Sequence, residues 1–488
     1  MLCAMSAESG AMVASGTVPA DSPRPASLVG PLGLGAAVYG LLLIAGERLL
    51  NDPDTFWHIA AGRWIWAHAA VPTTDPFSHT LQGAPWLAHE WLSELILAGA
   101  YGALGWAGVV ALAALAVAAS LALLMRALER VVRPTVALGA TAMAFFLMAA
   151  HLTARPHALA LPILVAWAAA LFRARDESRG PSLLLLPLMA LWANLHGGFV
   201  VGLGLAGVLA VEAVLTAPPG QERRAATWGW GRFVALAALA SLLTPQGIAG
   251  WWFPFKLMSL GFALSFVGEW HEPVLGIYEP LVLWLAALLV FAAGVGLTVP
   301  LSRVLMVAGL VAAALSHTRN AELLAVLTPL LLAASVSRLM PPVGSPAGAQ
   351  ARKVAALALF IVMATGTASF RGYAHENPAI APTSALGAAK QAGPRGPVFN
   401  DYDFGGYLIF EGVAPFVDGR IDLYGDDFMR AYAAALAADG DALPRLLDRY
   451  RIAWTLLKPD EPAVATLDRD PAWERVYADA SAVVHRRR

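Results

Sequence analysis

The sequence predicts a mainly α fold, with a polytopic helical membrane domain followed by a C-terminal α/β domain. Hydrophobic residues make up 58% of the 488 residues and charged residues only 14%, whereas a soluble domain carries about 25% charged residues. Apolar segments of near-spanning length follow one another up to residue 370, and beyond it charge rises and apolar runs shorten. We therefore divide the chain into a membrane domain, 28–370, and a tail domain, 371–488.

The remaining composition excludes several classes of protein. Residues 1–27 are rich in Ala, Ser, Gly and Pro and lack the basic start and short apolar core of a secretory signal, so we predict a disordered cytoplasmic leader. The formal net charge of −1 offers no field that would attract nucleic acid. The single cysteine, Cys3, excludes an internal disulfide framework and a multi-cysteine metal site.

The membrane domain is predicted to contain about 11 spans, since a spanning helix needs about 20 mostly apolar residues. Two of these segments, 181–196 and 303–317, are short, which is typical of helices that continue beyond the hydrocarbon or end beside a polar cavity. The predicted spans are 28–47, 104–125, 134–152, 157–173, 181–196, 199–217, 232–248, 280–299, 303–317, 321–337 and 354–370.

Basic residues divide unequally between the two alternating sets of loops, which predicts the orientation. The poorer set holds Arg48, Arg63, Arg155, Lys256 and Arg319. The richer set holds thirteen, and by the positive-inside rule it is cytoplasmic: Arg126, Arg130, Arg133, Arg173, Arg175, Arg179, Arg223, Arg224, Arg232, Arg303, Arg338, Arg352 and Lys353. An odd number of spans then places the N-terminus in the cytoplasm and the tail domain outside (N-in/C-out).

Histidines and carboxylates concentrate on the predicted outer face. Nine of the 11 histidines lie in outer loops or at outer span ends, and the other two lie in the tail. Ionisable groups at membrane depth usually face a cavity and mark a functional site. We therefore expect an outward-facing active cavity whose substrate contacts include His58, Asp75, His89, Glu90, Glu269, His271 and Asn194.

The large first outer loop, 51–103, is predicted to contain interfacial helices at 55–69 and 91–103. Asp52 and Asp54 flank Pro53 at the mouth of the first of these helices. Paired carboxylates can divide roles, one acting as a base and the other as an orienting group or a metal ligand. The competing interpretation makes Asp54 the N-cap of a helix that begins at Thr55.

Two other polar positions in this loop have similarly plain explanations. Asp75 precedes Pro76 and is typical of a turn in which the Asp side chain accepts backbone hydrogen bonds. His89 and Glu90 fit a junction between a loop and a helix.

The order of short motifs along the chain resembles the GT-C superfamily of membrane glycosyltransferases, and more narrowly a bacterial branch of it. The motifs are NDPDTFWHIAAGRWI, VPTTDPFS, HEWLSE, TARPH, WANLHGG, GGYLI and VDGRIDLYGDDF. The resemblance covers most of the chain from about residue 28. In better-known relatives the first-loop motif is Asp-Glu. Asp54 matches its Asp, whereas Thr55 stands in place of the Glu.

The resemblance implies transfer of a sugar, with inversion, from a polyprenyl-phosphate donor to a lipid, glycan or protein acceptor. It implies a location in the bacterial inner (cytoplasmic) membrane, with the tail on the periplasmic, extracytoplasmic side. Asp54 would be the general base, with Asp52 as the second catalytic acid. Cationic and hydrogen-bonding side chains suit the leaving phosphate, and the candidates are Arg155, His157, His196 and Arg319.

Cofactor use is left open by the sequence. A divalent metal could take carboxylate and imidazole ligands from Asp52, Asp54, His58, His89 and Glu90. The chain contains neither GxGxxG after a strand nor GxxxxGK[ST], which argues against a nucleotide-sugar or ATP-driven reaction.

The tail is predicted to be a compact α/β domain. Strands are expected at 398–401, 407–411, 415–420, 452–459 and within 473–486, and helices at 426–438 and 440–450. Acidic residues and one arginine cluster near the expected strand ends: Asp401, Asp403, Asp418, Arg420, Asp422 and Asp426. Turn formation and an Asp–Arg pair explain this cluster best, and an acceptor-binding edge facing the cavity is the alternative.

Two other functions compete with glycosyl transfer. A non-catalytic binder or transporter of polyprenyl-linked glycan would use the outer polar groups for binding alone. A transporter is expected to have related halves with broken helices, which the sequence does not display. An O-antigen-type ligase or polymerase would centre its chemistry on arginine in a late outer loop. Asp54 separates these hypotheses, since only the first needs it for turnover.

Overall fold

Apolar helices follow one another up to residue 371 in the computed structural model, which describes residues 28–342, 350–393 and 396–488. The leader predicted for 1–27 lies outside the described residues. The helices of the membrane domain are α1 (Val29–Ile44), α2 (Gly46–Leu49), α3 (Asp54–His68), α4 (Trp91–Glu129), α5 (Pro134–Met148), α6 (Pro156–Asp176), α7 (Leu186–Leu195), α8 (Phe199–Thr216), α9 (Gln221–Ala240), α10 (Ile248–Met258), α11 (Pro280–Gly294), α12 (Leu301–Ser316), α13 (Ala321–Ser337) and α14 (Gln350–Arg371).

Each predicted span overlaps one of these helices, and the mainly helical fold of a membrane protein is confirmed. In the described part of the chain, four helices are long and apolar enough to cross a membrane by length and composition: Trp91–Glu129, Pro156–Asp176, Phe199–Thr216 and Thr318–Ser337. Shorter apolar helices account for most of the other predicted segments. The number of spans and the N-in/C-out orientation stay predictions.

The long helix α4 is broken where the sequence predicts a boundary between a loop helix and a span. Leu104 and Gly105 leave helical geometry, and Gly105 has φ of 58°. This left-handed conformation is accessible to glycine because it has no Cβ. The second half of α4 then packs against α1 and α6, with many small buried residues such as Ala113 and Ala114. Small residues allow such close helix packing in a membrane domain.

Within its described residues, the tail domain contains a four-stranded sheet in the order β1-β2-β4-β3. The first pair is parallel and the other two pairs are antiparallel. The strands are β1 (Val398–Asn400), β2 (Trp454–Leu457), β3 (Trp473–Ala478) and β4 (Val483–Arg487). The helices are α15 (Thr383–Ala392), α16 (Gly405–Phe410), α17 (Ile421–Leu436), α18 (Ala442–Arg449) and α19 (Pro462–Arg469).

Two of the predicted strands are wrong. Segment 407–411 lies mostly in α16, which packs against α3; its short apolar run fits a helix and a strand equally well. Segment 415–420 is a loop. The Asn400 side chain supplies the hydrogen bonds that a partner strand would give: its amide donates to the carbonyl of Val417 (2.9 Å), and its oxygen accepts from the Phe416 N–H (2.7 Å). The strands expected near 398, 454 and 473–486 are confirmed.

Candidate active site

A cavity of about 540 Å³ opens where the membrane domain meets the tail. Its wall is formed by the residues before α3, the beginnings of α6 and α13, the end of α7, a loop near residue 268 and the turn after β1. Seven of the predicted site residues line this cavity: Asp52, Asp54, Arg155, His157, His196, Glu269 and Arg319. The structure therefore brings together parts of the chain that are far apart in sequence.

Asp54 lies in the first turn of α3, and its carboxylate is held from two sides. The indole N–H of Trp57 donates to Oδ1 (2.9 Å), and Nη2 of Arg155 lies 2.9 Å from Oδ2. The backbone N–H of Asp54 donates to Oδ1 of Asp52 at 2.9 Å. The N-cap interpretation of Asp54 is therefore wrong. Asp52 accepts the hydrogen bond at the helix start, and the Asp54 carboxylate is left to face the cavity.

Both carboxyl groups have perturbed pKa values. Burial raises the pKa of Asp54 to about 7, the cation of Arg155 opposes this rise, and the charge of Asp52 adds to it. Burial likewise raises the pKa of Asp52, against the opposing effect of Arg155. A carboxylate with a pKa near neutrality is suited to accept a proton during a reaction.

Arg155, directly before α6, connects several acidic groups of the cavity. Its Nη1 atom lies 3.4 Å from Oδ2 of Asp52 and 3.3 Å from Oε2 of Glu269, in addition to the Asp54 contact. On the opposite side of Glu269, Nη1 of Arg319 lies 3.4 Å from Oε1. Burial alone would raise the pKa of Glu269, but Arg155 and Arg319 outweigh it and hold that pKa at about 2.

His157 and His196 extend the polar wall, with their ring centroids 6.4 Å apart. The backbone N–H of Gly198 donates to Nδ1 of His196 at 2.9 Å, so that nitrogen carries no proton. The neutral ring therefore carries its proton on Nε2 and can act there as a hydrogen-bond donor.

His58, His89 and Glu90 do not line the cavity but form a second polar group beside it. Glu90 lies 3.4 Å from Nε2 of His196, 3.6 Å from Nε2 of His89 and 3.8 Å from Nε2 of His58. Burial raises the pKa of Glu90 to about 8, despite the opposing charge of Arg155. His58 stacks on Trp57, which in turn holds Asp54. These residues are therefore one layer removed from any substrate in the cavity.

The structure places Asp75, Asn194 and His271 away from the cavity wall. Asp75 is fully buried, pairs with Nη1 of Arg420 at 2.6 Å, and accepts backbone hydrogen bonds in the turn that the sequence predicts. Asn194 accepts from the Trp91 indole (2.8 Å) and donates to the Leu243 carbonyl. His271 is exposed and bonds the Ser265 carbonyl at 2.9 Å. All of these contacts connect segments of the protein itself.

The candidate metal ligands do not form a metal site in this structure. Among the described residues, no group of three His, Cys, Asp or Glu side chains is arranged to hold a metal ion. Asp52 and Asp54 both pair with Arg155, and the other candidates, His58, His89 and Glu90, lie off the cavity wall. We therefore derive no chemical step through a metal.

Several cavity residues were missed by the sequence-based reasoning. Glu322 lies 3.6 Å from Nε2 of His157. The tail contributes Tyr402 and Asp403, and Asp403 pairs with Lys458. The acidic cluster of the tail thus reaches the cavity through Asp403. Asp403 belongs to the acidic cluster that the sequence singled out. Tyr402 stands beside no feature of the membrane domain in the sequence, so no local pattern pointed to it.

Gly419 in the tail loop lies close to Asp54. A Cβ added at this position would overlap Oδ1 of Asp54, and it would lie 2.8 Å from Cγ and 3.0 Å from Nε1 of Trp57. The loop passes this close to the carboxylate only because glycine has no side chain. Gly419 is the glycine of the VDGR segment, and this glycine is the sequence signal that could have indicated the close approach.

Comparison with known proteins gives a fold but no close relative. No family model and no curated protein matches the sequence. A crystal structure of ArnT from Cupriavidus metallidurans bound to undecaprenyl phosphate is similar over 94% of this chain and 98% of its own, with a TM-score of 0.51 and 16% identity. The oligosaccharyltransferase of Archaeoglobus fulgidus is similar over 88% of this chain and 69% of its own, with a TM-score of 0.52 and 10% identity. The chain therefore shares the fold of these two proteins, both of which are GT-C membrane glycosyltransferases.

Proposed function

We propose that this protein is a membrane glycosyltransferase. It transfers a sugar from a polyprenyl-phosphate donor to an extracytoplasmic lipid, glycan or protein acceptor, with inversion at the anomeric carbon. The observation that carries the proposal is one cavity holding a carboxylate of raised pKa, Asp54, together with the arginines Arg155 and Arg319. The similar fold of ArnT, whose structure contains undecaprenyl phosphate, supports the class of donor.

In this reaction Asp54 is the general base. The acceptor hydroxyl gives its proton to the Asp54 carboxylate while its oxygen bonds to the anomeric carbon. The bond between that carbon and the phosphate oxygen breaks, and the electron pair leaves with the phosphate. Attack and departure on opposite faces of the sugar invert the anomeric centre. Asp52 accepts the Asp54 N–H and shares Arg155, so we assign it a positioning role.

The phosphate needs cationic and hydrogen-bonding partners as charge develops on it. Arg155 and Arg319 face the cavity, and an arginine fork can bind two phosphate oxygens. His196 also lines the cavity, but its Nε2 lies 3.4 Å from the Glu90 carboxylate, so we assign it a positioning role beside the phosphate. His157 lines the same wall.

The rest of the cavity wall suits a lipid carrier. Apolar side chains from α6, α8 and α13 line it beside the charged groups: Ala160, Leu161, Leu164, Val201 and Leu323. An isoprenyl chain placed against these helices would leave its phosphate at the level of Arg155. We propose that this arrangement faces the extracytoplasmic side of the inner membrane, with the tail covering the cavity and Tyr402 and Asp403 contacting the acceptor.

The test is transfer of radiolabelled sugar from polyprenyl-phosphate donors to a membrane lipid extract by purified protein in detergent. Asp54→Asn is expected to lower turnover by about 10²-fold or more, since general base catalysis contributes 10²–10⁴-fold. Asp427→Asn changes an exposed acid on α17 and is expected to retain activity.

The same experiment separates the competing functions. Equal transfer by wild type and Asp54→Asn would remove Asp54 from the reaction. Saturable donor binding without transfer, for every donor offered, would favour the non-catalytic binder. Transfer abolished by Asp54→Asn and preserved in Asp427→Asn supports the proposal.

A further inference from the structure

The carboxylate of Glu269 bridges the two arginines that face the cavity. Its Oε2 atom lies 3.3 Å from Nη1 of Arg155, and its Oε1 atom lies 3.4 Å from Nη1 of Arg319. Each oxygen therefore contacts a different guanidinium. A phosphate group can also offer one oxygen to each of two arginines, so both anions match the same pair of cations.

Two hydrogen bonds connect the backbone around Glu269 to Thr318, so displacement of the carboxylate requires only a movement of the side chain. The Thr318 hydroxyl donates to the Glu269 carbonyl at 3.0 Å, and the Thr318 N–H donates to the His271 carbonyl at 3.0 Å. The guanidinium of Arg319 also lies over the Trp270 ring, 4.5 Å from its centroid. The Glu269 side chain itself is 27% exposed and faces the cavity.

We propose that Glu269 is the resident anion of the donor-phosphate site. It occupies the arginine pair while the site is empty, and the incoming phosphate displaces its side chain. This inference rests on the proposed function, because it assumes that Arg155 and Arg319 receive the donor phosphate. Glu269 acts through these arginines and is therefore a residue that sets the affinity for the phosphate, not a catalytic residue.

The charges of the site favour such an exchange. Arg155 is already paired with Asp52 and Asp54, so a phosphate that adds to Glu269 would bring a further negative charge into a largely buried group of acids. Exchange of one anion for another keeps the charge of the arginine pair balanced. A neutral ligand, such as a polyprenol, offers nothing to the arginines in return for the displaced carboxylate. A polyprenol therefore gains nothing by displacing Glu269, and only a phosphorylated carrier competes with this carboxylate for the arginines.

The test measures binding of undecaprenyl phosphate to the purified full-length protein in detergent. Glu269→Gln removes the competing charge and is expected to tighten binding about tenfold, the value of one charge-assisted hydrogen bond. In the transfer assay the same variant should lower the KM for the donor. The control Glu272→Gln removes an exposed charge from the same segment and should leave binding unchanged.

A second variant covers the case in which Glu269→Gln folds poorly. Glu269→Asp keeps the charge but is too short to reach both arginines from the same backbone position, so it should also bind undecaprenyl phosphate more tightly than wild type. Unchanged or weaker binding in both variants would show that Glu269 braces the arginines and would overturn the inference. A wild type that does not bind undecaprenyl phosphate would overturn the proposed donor site itself.

Two further probes identify what the site selects. Undecaprenol should bind wild type more weakly than undecaprenyl phosphate. Glu269→Gln should change undecaprenol binding by much less than tenfold, because an alcohol does not compete with the carboxylate for the arginines. Inorganic phosphate should compete better in Glu269→Gln than in wild type, since it needs only the arginine pair. No difference between the variants with inorganic phosphate would contradict competition at this pair.

Discussion

The contact between Gly419 and Asp54 makes a strong prediction for the substitution Gly419→Ala. The new Cβ would lie 2.8 Å from Cγ of Asp54 and overlap Oδ1. Carbon atoms in favourable contact are about 3.5–4.0 Å apart, so the carboxylate or the loop must move by on the order of 1 Å. A misplacement of about 1 Å at a reacting group can lower the rate by about 10²-fold. We expect a loss of that size in kcat.

The assay is sugar transfer at saturating donor, together with the apparent Tm of the purified protein. Gly387→Ala is the matched control, because a Cβ at Gly387 in α15 meets nothing within 4 Å. In an Asp54→Ala background, Gly419→Ala should cost little further activity, since the group it displaces has been removed. Full activity of Gly419→Ala at an unchanged Tm would refute the reasoning.

Two other predictions follow from the perturbed and buried charges. Burial raises the pKa of Asp54 to about 7, and a general base must be unprotonated to act. We therefore expect kcat/KM to be maximal above about pH 7 and to fall about tenfold per pH unit below it. A flat profile from about pH 5 to about pH 8 would contradict this. Arg420 is fully buried between Asp75 and Asp418, at 2.6 and 2.7 Å, so Arg420→Met leaves buried carboxylates unpaired and should lower the free energy of unfolding by about 3–5 kcal/mol. The control Arg445→Met breaks an exposed pair with Asp441 and should lower the free energy of unfolding by at most about 1 kcal/mol. Equal effects of the two substitutions on chemical denaturation would show that Arg420 is not a buried connection between the first loop and the tail.

Much of the membrane domain could be predicted because its signals are local. Apolar runs of near-spanning length give the helices, and the glycine at 105 marks the break in α4. Asp52 and Asp54 are neighbours in the chain, so their proximity needed no tertiary knowledge. The cavity residues Arg155, His196 and Arg319 each lie at a helix end, which is where polar groups of a membrane helix reach water.

The tail was harder to predict, since short apolar segments fit more than one element. Segment 407–411 has the same kind of apolar pattern as the true strands, and only its packing against α3 makes it a helix. Segment 415–420 forms no strand, because its backbone bonds to side chains and loop residues, among them the Asn400 side chain and Thr80. Neither contact leaves a signal within the segment itself.

The sequence by itself determined that this is a helical membrane protein with an acidic pair after its first helix and a tail of different composition. The tertiary structure alone decided which polar side chains share the cavity. It brought Glu322, Tyr402 and Asp403 to the wall, turned His58 and Asp75 into buried contacts, and set Gly419 against Asp54. The physical reason is that composition and periodicity report how each segment meets water or lipid, whereas a site depends on the direction of side chains from segments far apart in sequence.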